Sequence, residues 1–211
     1  MDIYEALYTT RAMRRLKPDP IPYEAQARVL DAAIRAPHIG EGWRFILVDD
    51  TEIKSQLAPL YRQGFERMIG GRPEELFAEV IQTDTQMGKT VRSGLHLVNH
   101  FAEVPLLLMG FGRTRDGAGV YPALWNAMLA ARAEGIGSTL TGFLQSYFAS
   151  EVMEILRVPK NAGWYLHGIV VMGYPTGRWG VAARKPVHEV AARNSWEGDL
   201  GFTVPEPLWT K

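Results

Sequence analysis

Tyr121-Pro-Ala-Leu-Trp-Asn-Ala-Met-Leu-Ala-Ala-Arg-Ala-Glu134 runs directly into Gly135-Ile-Gly-Ser-Thr-Leu-Thr-Gly142, and these two stretches decide the class of fold. The first predicts a helix that is apolar nearly all round (Ala123, Leu124, Trp125, Met128, Leu129, Ala130 and Ala131), with Gly135 placed as its C-cap. A helix without a wide polar face belongs at the centre of a large core or in an interface between subunits. The second predicts a strand over Ser138–Thr141, small and hydroxyl-bearing, which on its own reads as a buried strand whose threonines satisfy local backbone groups.

Working outward, Val104–Met109 and Tyr165–Met172 read as buried strands, and Trp43–Asp49 as a third, rich in aromatic and aliphatic residues. Between them the apolar stripe of Val29, Leu30, Ala33 and Ile34 predicts a helix from Pro22 to Ala36, stopped by Pro37. A helix follows from about Thr51 to Phe65, which Pro59 should kink or end early. Gly70-Gly-Arg-Pro73 is a turn. Glu74–Phe101 reads as helical in two pieces weakened by Gly88 and Gly94, and Ser150–Arg157 as a further helix. At the start, Asp2-Ile-Tyr-Glu-Ala-Leu-Tyr8 predicts a short helix with Asp2 as N-cap. The tail beyond Pro186 is polar, with Trp196 and Trp209 as isolated large apolar residues, so it is expected to wrap a partner subunit. Strands and helices mix along the whole chain, as in an α/β or α+β protein.

At 211 residues the chain fits one sizeable domain, and 46% hydrophobic with 22% charged residues is a globular composition. Formal net charge is zero, which argues against a general nucleic-acid or membrane-surface binder, so any anion site must come from local clustering. The absence of cysteine excludes disulfides, thiolate metal sites and Cys nucleophiles. Asp2 and Glu5 stand where a signal peptide would be basic, and the longest apolar runs are too short to span a bilayer, so a soluble cytoplasmic protein is expected.

Chemistry-bearing residues are few. Arg11, Arg14 and Arg15 crowd the exit of the first helix, and Arg184-Lys-Pro186 lies near the far end. Taken alone, such residues suit either a solvated basic turn or a phosphate clamp, since guanidinium forks match phosphate oxygens bidentately. His96 and His100 stand four apart on a predicted helix but lack the Glu of His-Glu-x-x-His and a third ligand, so no metal is assigned. There is no Gly-x-Ser-x-Gly elbow and no Walker loop, and Gly135-Ile-Gly137 lacks the third glycine of a dinucleotide fingerprint.

Four segments in order carry a resemblance. Arg11-Ala-Met-Arg-Arg-Leu-Lys-Pro-Asp-Pro-Ile-Pro22 is similar to the opening Arg-[Ser/Ala]-x-Arg motif of the FMN-dependent nitroreductase superfamily. Ala32-Ala-Ile-Arg-Ala-Pro37 followed by Trp43-Arg-Phe45, the helix ending Ala130–Gly137, and Gly173-Tyr-Pro175 with Arg184-Lys-Pro186 resemble its later segments. The resemblance implies an α+β, three-layer α/β/α fold with a central, mostly antiparallel sheet. It also implies one domain over residues 1–211, in an intertwined homodimer whose 187–211 tail wraps the partner. One FMN would lie at each interface. Arg11 and Arg14 match positions that grip its phosphate and ribityl chain, Ala12 offers its backbone, and Arg184 closes on the phosphate. Thr139, Leu140 and Thr141 would line the ring where N5 lies, and Arg92 is the candidate cation beside N1 and O2. No residue is assigned as catalytic, because the flavin carries the chemistry.

The implied activity is hydride transfer from NAD(P)H through flavin N5 to nitroaromatic, quinone or similar flat acceptors, in a ping-pong cycle. The family's Gly/Asn-rich stretch is shortened to His38-Ile-Gly-Glu-Gly42, which removes a side-chain amide and introduces Glu41. That departure leaves two alternatives open: a specialised member (reductive dehalogenase, flavin-fragmenting enzyme or natural-product dehydrogenase) and a non-catalytic flavin-binding or storage protein.

Overall fold

The computed structural model describes residues 1–38 and 42–209. Its helices are α1 (Ile3–Thr9), α2 (Tyr23–Ala33), α3 (Thr51–Ile69), α4 (Pro73–Leu76), α5 (Ala78–Ile81), α6 (Gln86–Asn99), α7 (Val120–Ala133), α8 (Phe143–Tyr147) and α9 (Ala149–Ile155). Its strands are β1 (Trp43–Val48), β2 (Leu106–Gly112), β3 (Gly137–Thr141) and β4 (Tyr165–Gly173). Residue contacts divide the chain into two compact units, Ala12–Arg178 and a terminal unit of Met1–Arg11 with the residues from Trp179 onward.

In the larger unit the strands form one antiparallel sheet in the order β1-β2-β4-β3. Alternate residues serve opposite faces. Leu106, Leu108, Val170 and Met172 pack with Val29 and Ala33 of α2 and Leu124, Ala127 and Ala131 of α7. Leu107, Met109, Ile169 and Val171 pack with Leu57 and Tyr61 of α3, Leu97 of α6, Leu144 of α8 and Val152 of α9. Both faces are therefore covered, which is why β2 reads in sequence as an unbroken apolar run and β4 as one interrupted only by His167. The architecture is α+β in three layers, as the resemblance implied.

One irregularity breaks the alternation. Gly110 pairs with Gly168 and Phe111 with Leu166, so His167 is the extra residue of a β-bulge between β2 and β4. The bulge buries its ring, and a Cβ on Gly112 or Gly117 would approach that ring to 3.2 Å and 2.7 Å. Gly117 also has φ +68°, so both sterics and backbone demand glycine there.

Several boundaries differ from expectation. α3 runs unbroken through Pro59 to Ile69. Pro59 and Ser55, whose carbonyl Pro59 cannot serve, both lie on the exposed face, while Leu57, Tyr61 and Phe65 anchor the other face in the core. The Glu74–Phe101 stretch forms three helices rather than two, with the break at residues 82–85 rather than at a glycine. Thr85 caps α6 by accepting from the Gly88 N–H at 3.1 Å. α2 ends at Ala33, short of Pro37, and α8 follows β3 where no helix was expected. α7 matches its prediction, closing on Gly135 at φ +75°, but it leaves Tyr121 and Trp125 each 41% exposed.

In the terminal unit, Asp2 caps α1 by accepting from the Glu5 N–H at 2.9 Å. The Tyr8 carbonyl accepts from the Ala182 N–H at 3.3 Å, and the Tyr8 ring lies 5.8 Å from that of Trp209. The tail is irregular apart from a short turn of 3-10 helix at Val187–Glu189, and Trp196 is exposed. Among the described residues no helix is long and apolar enough to cross a membrane.

Candidate functional site

The segment from Ala12 to Lys17 lies along β3 and the exit of β4. Ala12 bridges Ser138, the Met13 N–H donates to the Ser138 carbonyl at 2.9 Å, and the Lys17 N–H donates to the Tyr174 carbonyl at 2.8 Å. Gly137 makes this approach possible, because a Cβ there would meet Met13 Cβ at 2.9 Å and Pro175 Cβ at 3.1 Å. Met13 is buried, which anchors the segment immediately before Arg14.

Arg14 lines a cleft of about 170 Å³ with Leu16, His96, Leu97, His100, Glu103 and Val104. Its guanidinium has neither a hydrogen-bond acceptor nor an ion-pair partner among the described residues, and partial burial pulls its pKa down. A desolvated cation with no acceptor is unfavourable unless a ligand supplies one. The His96 and His100 rings lie tilted by 33° with centroids 4.4 Å apart, and His100 Nδ1 lies 3.0 Å from Glu103 Oε1. Burial, and then the nearby His100 and Arg15, hold His96 below the usual histidine value despite Glu103, so its imidazole is neutral near pH 7. Among the described residues no group of three or more histidines and carboxylates could hold a metal ion.

A second polar cluster adjoins Arg14. Tyr61, buried in α3, receives a hydrogen bond from Thr141 Oγ1 at 3.1 Å, and its ring stacks on Phe101 with centroids 4.0 Å apart. Burial pushes the Tyr61 phenol up to about 12, against the opposing effects of the Thr141 hydrogen bond and the Arg14 charge. Thr139 and Thr141 are buried, while Leu140 points the other way and is 43% exposed. Just beyond, Gln145 of α8 lies against Gly142, and its Oε1 is buried without a partner among the described residues.

The structure thus sets Ala12 beside β3 with Arg14 two residues further on, Thr139 and Thr141 on the buried face of that strand and Leu140 on the other. Arg92 is engaged elsewhere: its Nη1 donates to the carbonyls of Ile81 and Thr83 at 2.7 and 2.6 Å, and Nη2 lies 3.8 Å from Asp84, closing the turn between α5 and α6. Arg11 and Arg184 belong to the terminal unit. Arg11 is exposed, and Arg184 Nη1 donates to the neighbouring Ala183 carbonyl at 2.9 Å. Glu41 lies outside the described residues. Tyr61, Gln145 and the siting of His96 beside Arg14 escaped the sequence reading. The histidine pair was visible as an i,i+4 spacing, but no local signal says that it faces an arginine some eighty positions earlier.

A profile of the Nitroreductase family matches residues 7–174. An NADH dehydrogenase of Thermus thermophilus is 24% identical over 207 residues, covering 90% of this chain and 95% of that protein. Among solved structures, a nitroreductase with bound FMN from Bacteroides fragilis superposes with a TM-score of 0.64 at 20% identity, over 88% of this chain and 96% of that one. An iodotyrosine deiodinase bound to FMN and 3-iodo-L-tyrosine superposes with a TM-score of 0.62 at 20% identity, over 87% and 98%. The structural likenesses speak for the fold. With the profile match running from α1 to the exit of β4, the chain belongs to the Nitroreductase family.

Proposed function

We propose that this protein is an FMN-dependent oxidoreductase that takes reducing equivalents from NAD(P)H and delivers them to a flat acceptor such as a nitroaromatic or a quinone. The observation that carries the reading is an imbalance at the end of β3. Among the described residues the Arg14 guanidinium and the Tyr61 hydroxyl proton have no acceptor, and the buried Gln145 Oε1 has no donor. A heterocycle carrying both carbonyl acceptors and a ring N–H, as the flavin of FMN does, fits that set of unmet bonds.

Bound FMN would supply the hydride chemistry, while the chain supplies orientation and electrostatics. Arg14 would hold negative charge on the cofactor, and Thr139–Thr141 would lie along its ring, with a backbone N–H or hydroxyl reaching N5. Ala12 would present backbone only. Arg11 and Arg184 are the guanidinium groups we assign to phosphate. Arg92 keeps its assignment beside the flavin only if its turn opens, because its donors already serve two carbonyls. A homodimer accompanies this reading. Its support is the exposed apolar set of Tyr121 and Trp125 on α7 with Leu140 on β3, Tyr121 and Leu140 both flanking Gly168.

Titrating the purified protein with FMN tests the proposal. Saturable binding followed by NAD(P)H-dependent bleaching of the flavin is expected. Binding without bleaching would point to a storage protein, and no binding would end the reading.

A further inference from the structure

The hydroxyl of Tyr61 is not needed for packing. Its ring stacks on Phe101 at 4.0 Å and tilts against Phe143 at 5.3 Å, and a phenylalanine would keep both contacts. Burying a phenol in this cluster among Leu57, Phe65, Phe101 and Leu144 carries a desolvation penalty that one hydrogen bond only partly offsets. That bond runs between two hydroxyls. With Thr141 donating, the Tyr61 proton is left without an acceptor among the described residues. That O–H stays unused within the field of the Arg14 guanidinium, which also lacks an acceptor among the described residues. Two kinds of donor, a guanidinium and a phenol, are left with nothing among the described residues to receive them.

We infer that Tyr61 is a positioning residue: paired with Thr141, it holds one hydroxyl proton ready to join Arg14 in stabilising the negative charge that the ring gains on reduction. The inference rests on the proposed FMN reading and goes beyond it by naming what tunes the bound cofactor. Tyr61 does this from α3, its oxygen held in place by the Thr141 hydroxyl that donates to it. Arg14 supplies a fixed charge, whereas the hydroxyl pair supplies a donor that can reorient as the charge on the ring changes. The pair should therefore favour the reduced form over the oxidised form, and should contribute little to retention of oxidised FMN.

The test compares the midpoint potential of bound FMN, and the affinities for oxidised and reduced FMN, in the holoprotein and three variants. Tyr61→Phe should bind oxidised FMN within about threefold of the parent but lower the preference for reduced FMN by about tenfold, a potential about 30 mV lower for a two-electron couple. Thr141→Val should reproduce the shift, and Thr141→Ser, which keeps the hydroxyl, should not. A Tyr61→Phe or Thr141→Val protein that binds FMN at the parental potential overturns the inference and leaves the FMN reading standing. A parent that takes up no FMN overturns both. Should Tyr61→Phe fail to fold, the Thr141→Val and Thr141→Ser pair decides alone.

Discussion

Replacing Arg14 by methionine should separate binding from stability. Methionine preserves the apolar stem that packs near Leu16 and Leu97, and removes only the guanidinium. In the free protein that group makes no hydrogen bond or ion pair among the described residues and is partly desolvated, so its loss should leave folding stability unchanged or slightly raise it. With FMN bound, the same group would make a charge-assisted hydrogen bond, a contribution of about 1.5–3 kcal/mol. At about 1.4 kcal/mol per tenfold, that loss weakens binding by roughly ten- to a hundredfold. The assay is paired: urea unfolding of the cofactor-free protein, and quenching of flavin fluorescence on titration. An Arg14→Met protein that unfolds at the parental midpoint and binds FMN at least tenfold more weakly supports the assignment. Unchanged binding, or a loss of about 2 kcal/mol or more in the free protein, would refute it, because Arg14 would then be a structural residue.

Three further outcomes follow from local geometry. Asp50→Ala removes the acceptor for the Ile53 N–H at the start of α3 and should lower stability by about 1 kcal/mol in urea unfolding. Gly137→Ala places a methyl 2.9 Å from Met13 Cβ and should cost about 1–3 kcal/mol, because both Met13 and Pro175 meet it with their fixed Cβ atoms. His167 is held below the usual histidine value chiefly by burial, opposed by its bond to the Thr114 carbonyl and by Asp116. The unfolded chain therefore takes up the proton first. The stability from neutral His167 should be present in full above about pH 6.5 and fall away as pH drops through the folded-state value. Comparing wild type with His167→Gln from pH 8 to pH 5 should show the wild type losing the more stability, and parallel curves would contradict this.

How much of this was readable in advance depends on the range of the interaction. α7 and its glycine cap were legible because helix patterning and a positive-φ stop are local signals. β2 and β4 were legible because a sheet covered on both faces needs near-continuous apolar runs. The continuity of α3 through Pro59 was not, because it depends on which face of the helix the rest of the protein covers. α8 was hidden for a similar reason: its five residues carry little periodicity, and Leu144 earns its place by packing on the far side of the sheet. At the site, Arg14 and Thr139–Thr141 were named from motif order, which points to segments and does not show that Ala12, two residues before Arg14, bridges β3 at Ser138. Tyr61 looked like any aromatic on a core helix. Only the meeting of α3 with the end of β3 distinguishes its hydroxyl from its ring.

A crystal structure of the protein grown with FMN is the most direct measurement of the central claim. The account predicts the flavin ring along Thr139–Thr141, with Arg14 within hydrogen-bond distance of it and a donor from the strand about 2.7–3.2 Å from N5. A flavin seated away from β3, or an Arg14 still without an acceptor in the FMN-bound protein, would contradict it.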